Sequence, residues 1–153
     1  MASTLPLEIG PLAPGRVAAL VPLWHAYVRG DDGSPPDGER AWEVLGALLA
    51  SPVAHIWLAG RAGRPLGFMC WAWTFSPSRG VPVLRVLALY TAPEARRQGV
   101  ARALLSEAER LARAAGANRL ELETSGDNAA ARRLYADLGF AEMPDKRVCM
   151  RFL

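Results

Sequence analysis

The stretch VLRVLALYTAPEARRQGVARALLSEAERLARAAG, residues Val83 to Gly116, passes from a strand to a helix in a single turn. Val83 to Tyr90 is an apolar strand that leads into Thr91 and Pro93. From about Gly99, Leu104, Ala108, Leu111, Ala112 and Ala115 recur on one helical face, and Gly116 takes the position just past the helix end. Arg119 to Thr124 then reads as another strand. A strand–helix–strand passage of this kind implies one right-handed parallel crossover within a mixed sheet.

The join between strand and helix is unusual. Ala95 to Leu105, ARRQGVARALL, sets arginines, a glutamine and a glycine where a helix normally begins with Asp, Ser or Thr. A helix N-terminus carries partial positive charge and unpaired N–H groups, so cations there cost stability unless an anion binds. One reading is a surface turn with solvated arginines. The other is a phosphate cradle, in which Gly99 lets the anion approach the backbone and Arg96, Arg97 and Arg102 surround it. The turn is neither Gly-x-Gly-x-x-Gly nor a Walker loop, which argues against a dinucleotide-binding Rossmann site and a P-loop NTPase.

Working outward, Leu5 to Ile9 reads as a short strand before a Pro/Gly turn. From Pro14, Val17, Leu20, Val21, Trp24 and Val28 fall at helical spacing, with Gly30 a stop. GDDGSPPDG is a loop by composition, and a second helix spans Arg40 to Ala50. Two strands follow, joined at Gly60 to Pro65. After the crossover, SGDN offers N-cap candidates for a helix from Ala129 to Leu138, closed by Gly139. RVCMRFL reads as a final strand. The expected fold is thus α/β (α+β): a central mixed, mostly antiparallel twisted sheet flanked by about four helices. Residues 1–153 form a single domain, with no repeat or internal linker.

Composition narrows the class. The chain has 153 residues, 51% hydrophobic and 22% charged, which suits one globular domain rather than disorder. Its net charge of +3 comes mostly from Arg, Lys146 being the single Lys. These arginines are spread along the chain among Asp and Glu, which disfavours nucleic acid as a partner. Cys70 and Cys149 lie in apolar runs and read as free buried thiols of a reducing compartment. With two His and no Cys/His cluster, no metal site is expected. No stretch reaches the roughly 18 apolar residues of a membrane span, and no basic leader precedes an apolar run. The expected location is cytoplasmic.

Three motifs in order resemble the GNAT superfamily of acyl-CoA-dependent N-acetyltransferases. Arg96-Arg97-Gln98-Gly99-Val100-Ala101 is similar to the family's Arg/Gln-x-x-Gly-x-Gly/Ala turn. LALYTAPEA resembles its Leu-Tyr-Val-x-Pro strand end, with Thr91 in place of Val. Asn128, Ala131, Leu134, Tyr135, Gly139 and Phe140 resemble its Asn-x-x-Ala-x-x-Leu-Tyr-x-x-x-Gly-Phe segment. The resemblance implies acetyl-CoA as co-substrate, bound along Leu89, Tyr90 and Thr91. Backbone groups of Leu89 and Thr91 would hold the pantetheine arm, and the amides from Arg97 to Arg102 the pyrophosphate. Asn128 would contact pantetheine or nearby backbone, and Ala131 would leave room for the arm. Tyr135 would point its hydroxyl at the thioester sulfur. The acceptor implied is a small-molecule primary amine, and a homodimer is compatible with the resemblance.

The chemistry accounts for these residue types. Amine attack on a thioester builds an oxyanion that one fixed N–H stabilises by roughly 3 kcal/mol, and the Leu89 amide is the candidate donor. The departing thiolate needs a proton, which Tyr135 can supply; otherwise Tyr135 is a half-buried aromatic. No Cys is placed by motif as a nucleophile, so transfer is direct. Many relatives carry an acid just before the Leu-Tyr pair, where this chain has Leu87-Ala88. Glu121, Glu123 and, through water, His55 are substitutes by position, against the alternatives of Arg-paired or solvated carboxylates and a half-buried imidazole. Asp31, Asp32, Asp37 and Glu39 could attract a cationic amine. Trp71, Trp73 and Phe75 form either an aromatic wall or core. The competing functional class is a non-catalytic acyl-CoA-binding sensor.

Overall fold

The computed structural model describes residues 5–32 and 38–153, with the backbone alone at 30–32. By its contacts the chain falls into two compact units, Met1–Glu123 and Thr124–Leu153.

The first unit holds a five-stranded sheet in the order β1-β2-β3-β4-β5. Its strands are β1 (Glu8–Pro11), β2 (Ala54–Arg61), β3 (Arg64–Ser76), β4 (Val81–Thr91) and β5 (Leu120–Glu121). Neighbours pair antiparallel from β1 to β4, whereas β4 and β5 are parallel. The expected crossover is therefore present, and its helix is α3 (Val100–Ala114). Helices α1 (Val17–Asp32) and α2 (Gly38–Ala50) lie between β1 and β2 in the chain. A short 3₁₀ turn, Pro14–Arg16, leads into α1, which runs through Gly30 rather than stopping there.

Cross-strand partners share a face, so the register sorts the side chains. Ile56 pairs with Cys70 and Leu58 with Phe68. These four join Leu12, Val17, Leu20 and Leu45 in a core beneath α1 and α2. Trp24 and Tyr27 of α1 extend it, each with its ring centroid 5.5 Å from that of Phe68. The other helix, α3, buries Val100, Leu104, Leu105, Ala108 and Ala112. At its first residue the packing needs a glycine. A Cβ at Gly67 would lie 2.7 Å from Tyr90 O and 2.9 Å from Val100 Cγ1.

Both long glycine-closed helices end as expected. In α3, Ala117 N donates to Ala112 O (2.9 Å) and Gly116 N to Arg113 O (3.1 Å), with Gly116 at φ 74°. This is the two-bond closure that favours glycine just past a helix end. In the second unit α4 (Ala129–Asp137) closes the same way, through Phe140 N to Tyr135 O (2.9 Å) and Gly139 N to Ala136 O (3.0 Å).

Three expectations need correction. The first strand begins at Glu8, not Leu5: Pro6 has no N–H to donate, and pairing starts at Glu8 opposite Gly60. The strand expected at 119–124 is paired only at Leu120 and Glu121, and this ladder stops at Arg85 of β4, just before that strand bulges. The tail RVCMRFL forms no strand. An apolar run becomes a strand only with a partner, and the second unit contains no other strand to pair with it. Accordingly Cys149 is exposed rather than buried, whereas Cys70 is buried as expected and its thiol is pushed up to about 12 by desolvation.

Two outcomes follow. Gly67→Ala should cost about 1–3 kcal/mol through overpacking, read as a fall in melting temperature. In the folded protein at pH 8, a disulfide reagent should consume one thiol rapidly, that of Cys149, and both thiols once the chain is denatured.

Candidate active site

Strand β4 carries a change of direction that its sequence does not announce. Leu84 N donates to Arg119 O (3.3 Å), so the backbone groups of Leu84 face β5. Just past the other end, Ala92 N donates to Leu66 O (2.8 Å), so those of Ala92 face β3. Residues an even number apart in an unbroken strand point the same way, yet these two point oppositely. The register supplies the reason. Trp71 pairs with Val86 and Cys70 with Ala88, leaving Leu87 as one extra residue. Leu87 is a β-bulge, and its side chain is 49% exposed.

The bulge reverses the alternation for the rest of the strand. Ala88 and Tyr90 bond β3, whereas Leu89 and Thr91 turn their N–H and C=O toward the outer edge. The β5 ladder covers only Leu84 and Arg85, so it does not use that edge at Leu89 or Thr91. Tyr90 is occupied otherwise, its ring 6.1 Å from Tyr27 and 5.9 Å from Phe68. Arg96 folds back over it, with its guanidinium 5.9 Å from the Tyr90 centroid and Nε donating to Thr91 O (3.2 Å).

The edge runs into the turn before α3. Pro93–Ala95 is a single 3₁₀ turn, after which Arg97 adopts φ 62° and Gly99 φ 81°. A left-handed arginine costs about 1–2 kcal/mol relative to ordinary backbone. Such conformations line up successive N–H groups as an anion-binding concavity. Gly99 caps α3 without a side-chain bond, and the first turn of α3 contains no acidic residue. The first carbonyl–amide bond is Ala103 N to Gly99 O (2.9 Å), so the amides from Gly99 to Arg102 precede the ladder. Along the exposed face of α3, Arg113 is paired with Glu109 and Arg110 with Glu107. Arg97 and Arg102 have no carboxylate partner among the described residues. These features fit a polyanionic ligand such as a pyrophosphate, with an extended amide-bearing chain laid along Leu89 and Thr91.

The remaining residues with expected roles lie on α4 of the second unit. Asn128 caps it, with Oδ1 accepting from Ala131 N (3.2 Å). Asn128, Ala131 and Tyr135 follow one another at helical spacing on one face. The Tyr135 ring lies 5.8 Å from that of Phe140, the apolar contact that accompanies this type of helix closure. Tyr135 is half-buried, and burial pushes its phenol above the ordinary range. Its hydroxyl therefore stays protonated through neutral pH.

The substitute bases have partners of their own. Glu121 accepts from Arg119 (2.8 Å) and Arg85 (3.2 Å), and these bonds hold its carboxyl below the usual range. Glu123 is paired with Arg85 as well. His55 stacks on Trp71 at 4.3 Å. Trp71 is 5% exposed and meets Trp57 and Trp73 edge-to-face, so it is core; Phe75, further along β3, is 60% exposed. Asp37 lies outside the described residues, as do the side chains of Asp31 and Asp32. Glu39 sits in the first turn of α2. Among the described residues no His/Cys/Asp/Glu group could hold a metal, and no helix is long and apolar enough to cross a membrane.

Residues 18–140 match the family model described as the acetyltransferase (GNAT) family. The chain is 36% identical over 114 residues to aminoglycoside N(6′)-acetyltransferase type 1 of Serratia marcescens, covering 72% of this chain and 76% of that one. It is 33% identical over 125 residues to the uncharacterised N-acetyltransferase YhfO of Bacillus subtilis (strain 168), covering 82% and 83%. A solved structure of a probable acetyltransferase superposes with a TM-score of 0.84 at 30% identity, covering 95% and 97%. The CoA complex of the aminoglycoside N-acetyltransferase AAC(6′)-Iy shares the fold, with a TM-score of 0.79 at 17% identity over 100% of this chain and 98% of that one.

The two left-handed positions of the turn should respond in opposite directions. Arg97→Gly should hold or raise stability by up to about 1 kcal/mol, since it frees a side chain from a left-handed backbone. Gly99→Ala meets no neighbouring atom, yet it places a Cβ at φ 81° and should cost about 1–2 kcal/mol. Denaturant titration of both variants reads the contrast.

Proposed function

Because the chain belongs to the acetyltransferase (GNAT) family and is an acyltransferase, we propose that it moves an acetyl group from acetyl-CoA directly to a primary amine of a cationic small molecule. The observation that carries this reading is the Leu87 bulge, which turns the Leu89 and Thr91 backbone away from β3 immediately before an uncapped, left-handed turn. Acetyl-CoA supplies an activated thioester, so the chain needs only to bind, orient and manage charge.

Each residue then has a task. Leu89 and Thr91 hold the pantetheine arm as an added strand would be held, and the amides from Arg97 to Arg102 take the pyrophosphate, aided by the guanidiniums of Arg97 and Arg102. The Leu89 N–H, pointing off the sheet edge, faces the charge that develops on the acyl oxygen. Asn128 acts by fixing the start of α4, and Ala131 keeps that face low. Tyr135 donates its hydroxyl to the leaving sulfur. A phenol held above about 10 does not fully surrender its proton to a thiolate near 8.5. Tyr135 therefore stabilises the sulfur by hydrogen bonding until a proton from the acceptor ammonium replaces it. The balance closes: the ammonium loses two protons, the thiolate gains one, and one is released.

The acceptor reading rests on charge and on likeness. Asp31, Asp32, Asp37 and Glu39 concentrate negative charge in one short stretch, and the Serratia marcescens relative is named for an aminoglycoside. A polyamino acceptor fits both. With Glu121 and Glu123 held by arginines, neither carboxylate serves as base. Deprotonating an amine of pKa about 10.4 near pH 7.4 then costs about 4 kcal/mol, which a cluster of neighbouring ammonium groups would lower.

Calorimetric titration with acetyl-CoA, followed by thiol release over a panel of amines, tests the proposal. Wild type should bind acetyl-CoA and turn over polyamino acceptors fastest. Tyr135→Phe should lose about 10²–10³-fold in kcat with acetyl-CoA binding retained. The rate should rise with pH as the amine deprotonates, without an alkaline fall below about pH 10, because Tyr135 stays protonated there. Binding without turnover on any amine would move the reading to a non-catalytic acyl-CoA module.

A further inference from the structure

The β2–β3 hairpin ends in Arg61-Ala62-Gly63-Arg64. Ala62 (φ 48°) and Gly63 (φ 75°) are both left-handed, as a two-residue turn between twisted strands requires. The register places Arg61 directly opposite Arg64. Like charges in that arrangement repel, so the pair weakens the hairpin unless other groups use it. Both reach the turn before α3. Arg61 Nη1 donates to Gln98 Oε1 (3.0 Å), and Arg64 Nη2 to Glu94 Oε1 (3.0 Å). The two contacts are joined, because Gln98 Nε2 donates to Glu94 O (2.9 Å).

Two further observations point the same way. Arg61 Nε is buried without a hydrogen-bond partner among the described residues, so the guanidinium is held in place at the expense of an orphaned donor. Within the braced segment, between Glu94 and Gln98, lies the left-handed Arg97. Strained backbone of this kind persists only where its surroundings over-determine it. The local chain contributes the 3₁₀-turn bonds, the Arg96 bond to Thr91 O and the Gln98 bond to Glu94 O, and the hairpin adds the two guanidinium contacts that tie the segment to the sheet.

We infer that the hairpin tip is the positioning element of the phosphate turn: Arg61, through Gln98, and Arg64, through Glu94, hold residues 94–98 so that the amides of Gly99 to Arg102 form a fixed cradle. Neither arginine is a catalytic residue, since each acts through another side chain. The inference rests on the acyl-CoA reading of the turn. Its consequence is a division of effects. Loosening the hairpin contact weakens cofactor binding and leaves the rate of the bound complex alone.

The test is a double-mutant cycle on the full chain with Arg61→Ala, Gln98→Ala and the pair, read by CoA calorimetry, steady-state kinetics and thermal melting. Each single variant should raise Kd for CoA and KM for acetyl-CoA about tenfold, as loss of one charge-assisted bond implies, with kcat within about twofold. The pair should be no weaker than the weaker single variant. Arg61→Lys, which keeps a cationic donor, should recover part of the loss, and it replaces Arg61→Ala in the cycle if that variant melts early. Unchanged affinity in the Arg61 variants overturns the inference. So do additive losses, which would place Arg61 on the ligand independently of Gln98. Wild type that fails to bind CoA overturns the acyl-CoA reading itself, and this inference with it, before any variant is compared.

Discussion

One extra residue in β4 governs what the sheet offers to a ligand. Backbone N–H and C=O groups alternate sides along a strand, and each buried one must be satisfied. In an unbroken β4, the direction set by Leu84 would carry through Ala88 and Tyr90, and the groups of Leu89 and Thr91 would be consumed by β3. Leu87 shifts that alternation by one. The partners on β3 then belong to Ala88 and Tyr90, and the outer edge receives Leu89 and Thr91. The same irregularity explains why the parallel ladder with β5 is short, since a bulge bends its strand away from regular pairing.

The elements around the bulge serve to hold this edge against the turn that follows it. Gly67 lets β3, Tyr90 and the first residue of α3 approach more closely than any side chain would permit. Tyr90 is locked by Tyr27, Phe68 and Arg96, which anchors the strand between the two outward-facing residues. The turn in turn leaves its helix uncapped and carries cations where acids would be more stable. These choices all cost folding free energy and all favour a bound polyanion. They coincide at the end of one strand.

Charge elsewhere is arranged for stability or solubility. Arg85 of β4, Arg119 just before β5, and Arg110 and Arg113 of α3 meet carboxylates, and such pairs on the surface contribute little individually. Glu121 and Glu123 are absorbed into such pairs, and these bonds hold the Glu121 carboxyl below its usual range. Burial, rather than a charged partner, raises the Tyr135 phenol above its ordinary range.

Much of this was legible in the chain. The period change from Val83 to Ala115 determined the crossover, and Gly116 and Gly139 determined where two helices close, because only glycine adopts that backbone without penalty. Arg96 to Ala101 and Asn128 to Phe140 announced a turn before a helix and a capped, glycine-closed helix by type and spacing. The bulge did not show, because VLAL is apolar throughout and hides any break in alternation. The hairpin contact did not show either, since Arg61 and Gln98 are 37 residues apart and meet only through the sheet. The tail RVCMRFL has strand-like residues, yet it lacks the partner that makes a strand. Local conformation was written in local residue types; backbone parity, ion pairing and strand pairing were decided by neighbours distant in sequence, which only the tertiary structure brings together.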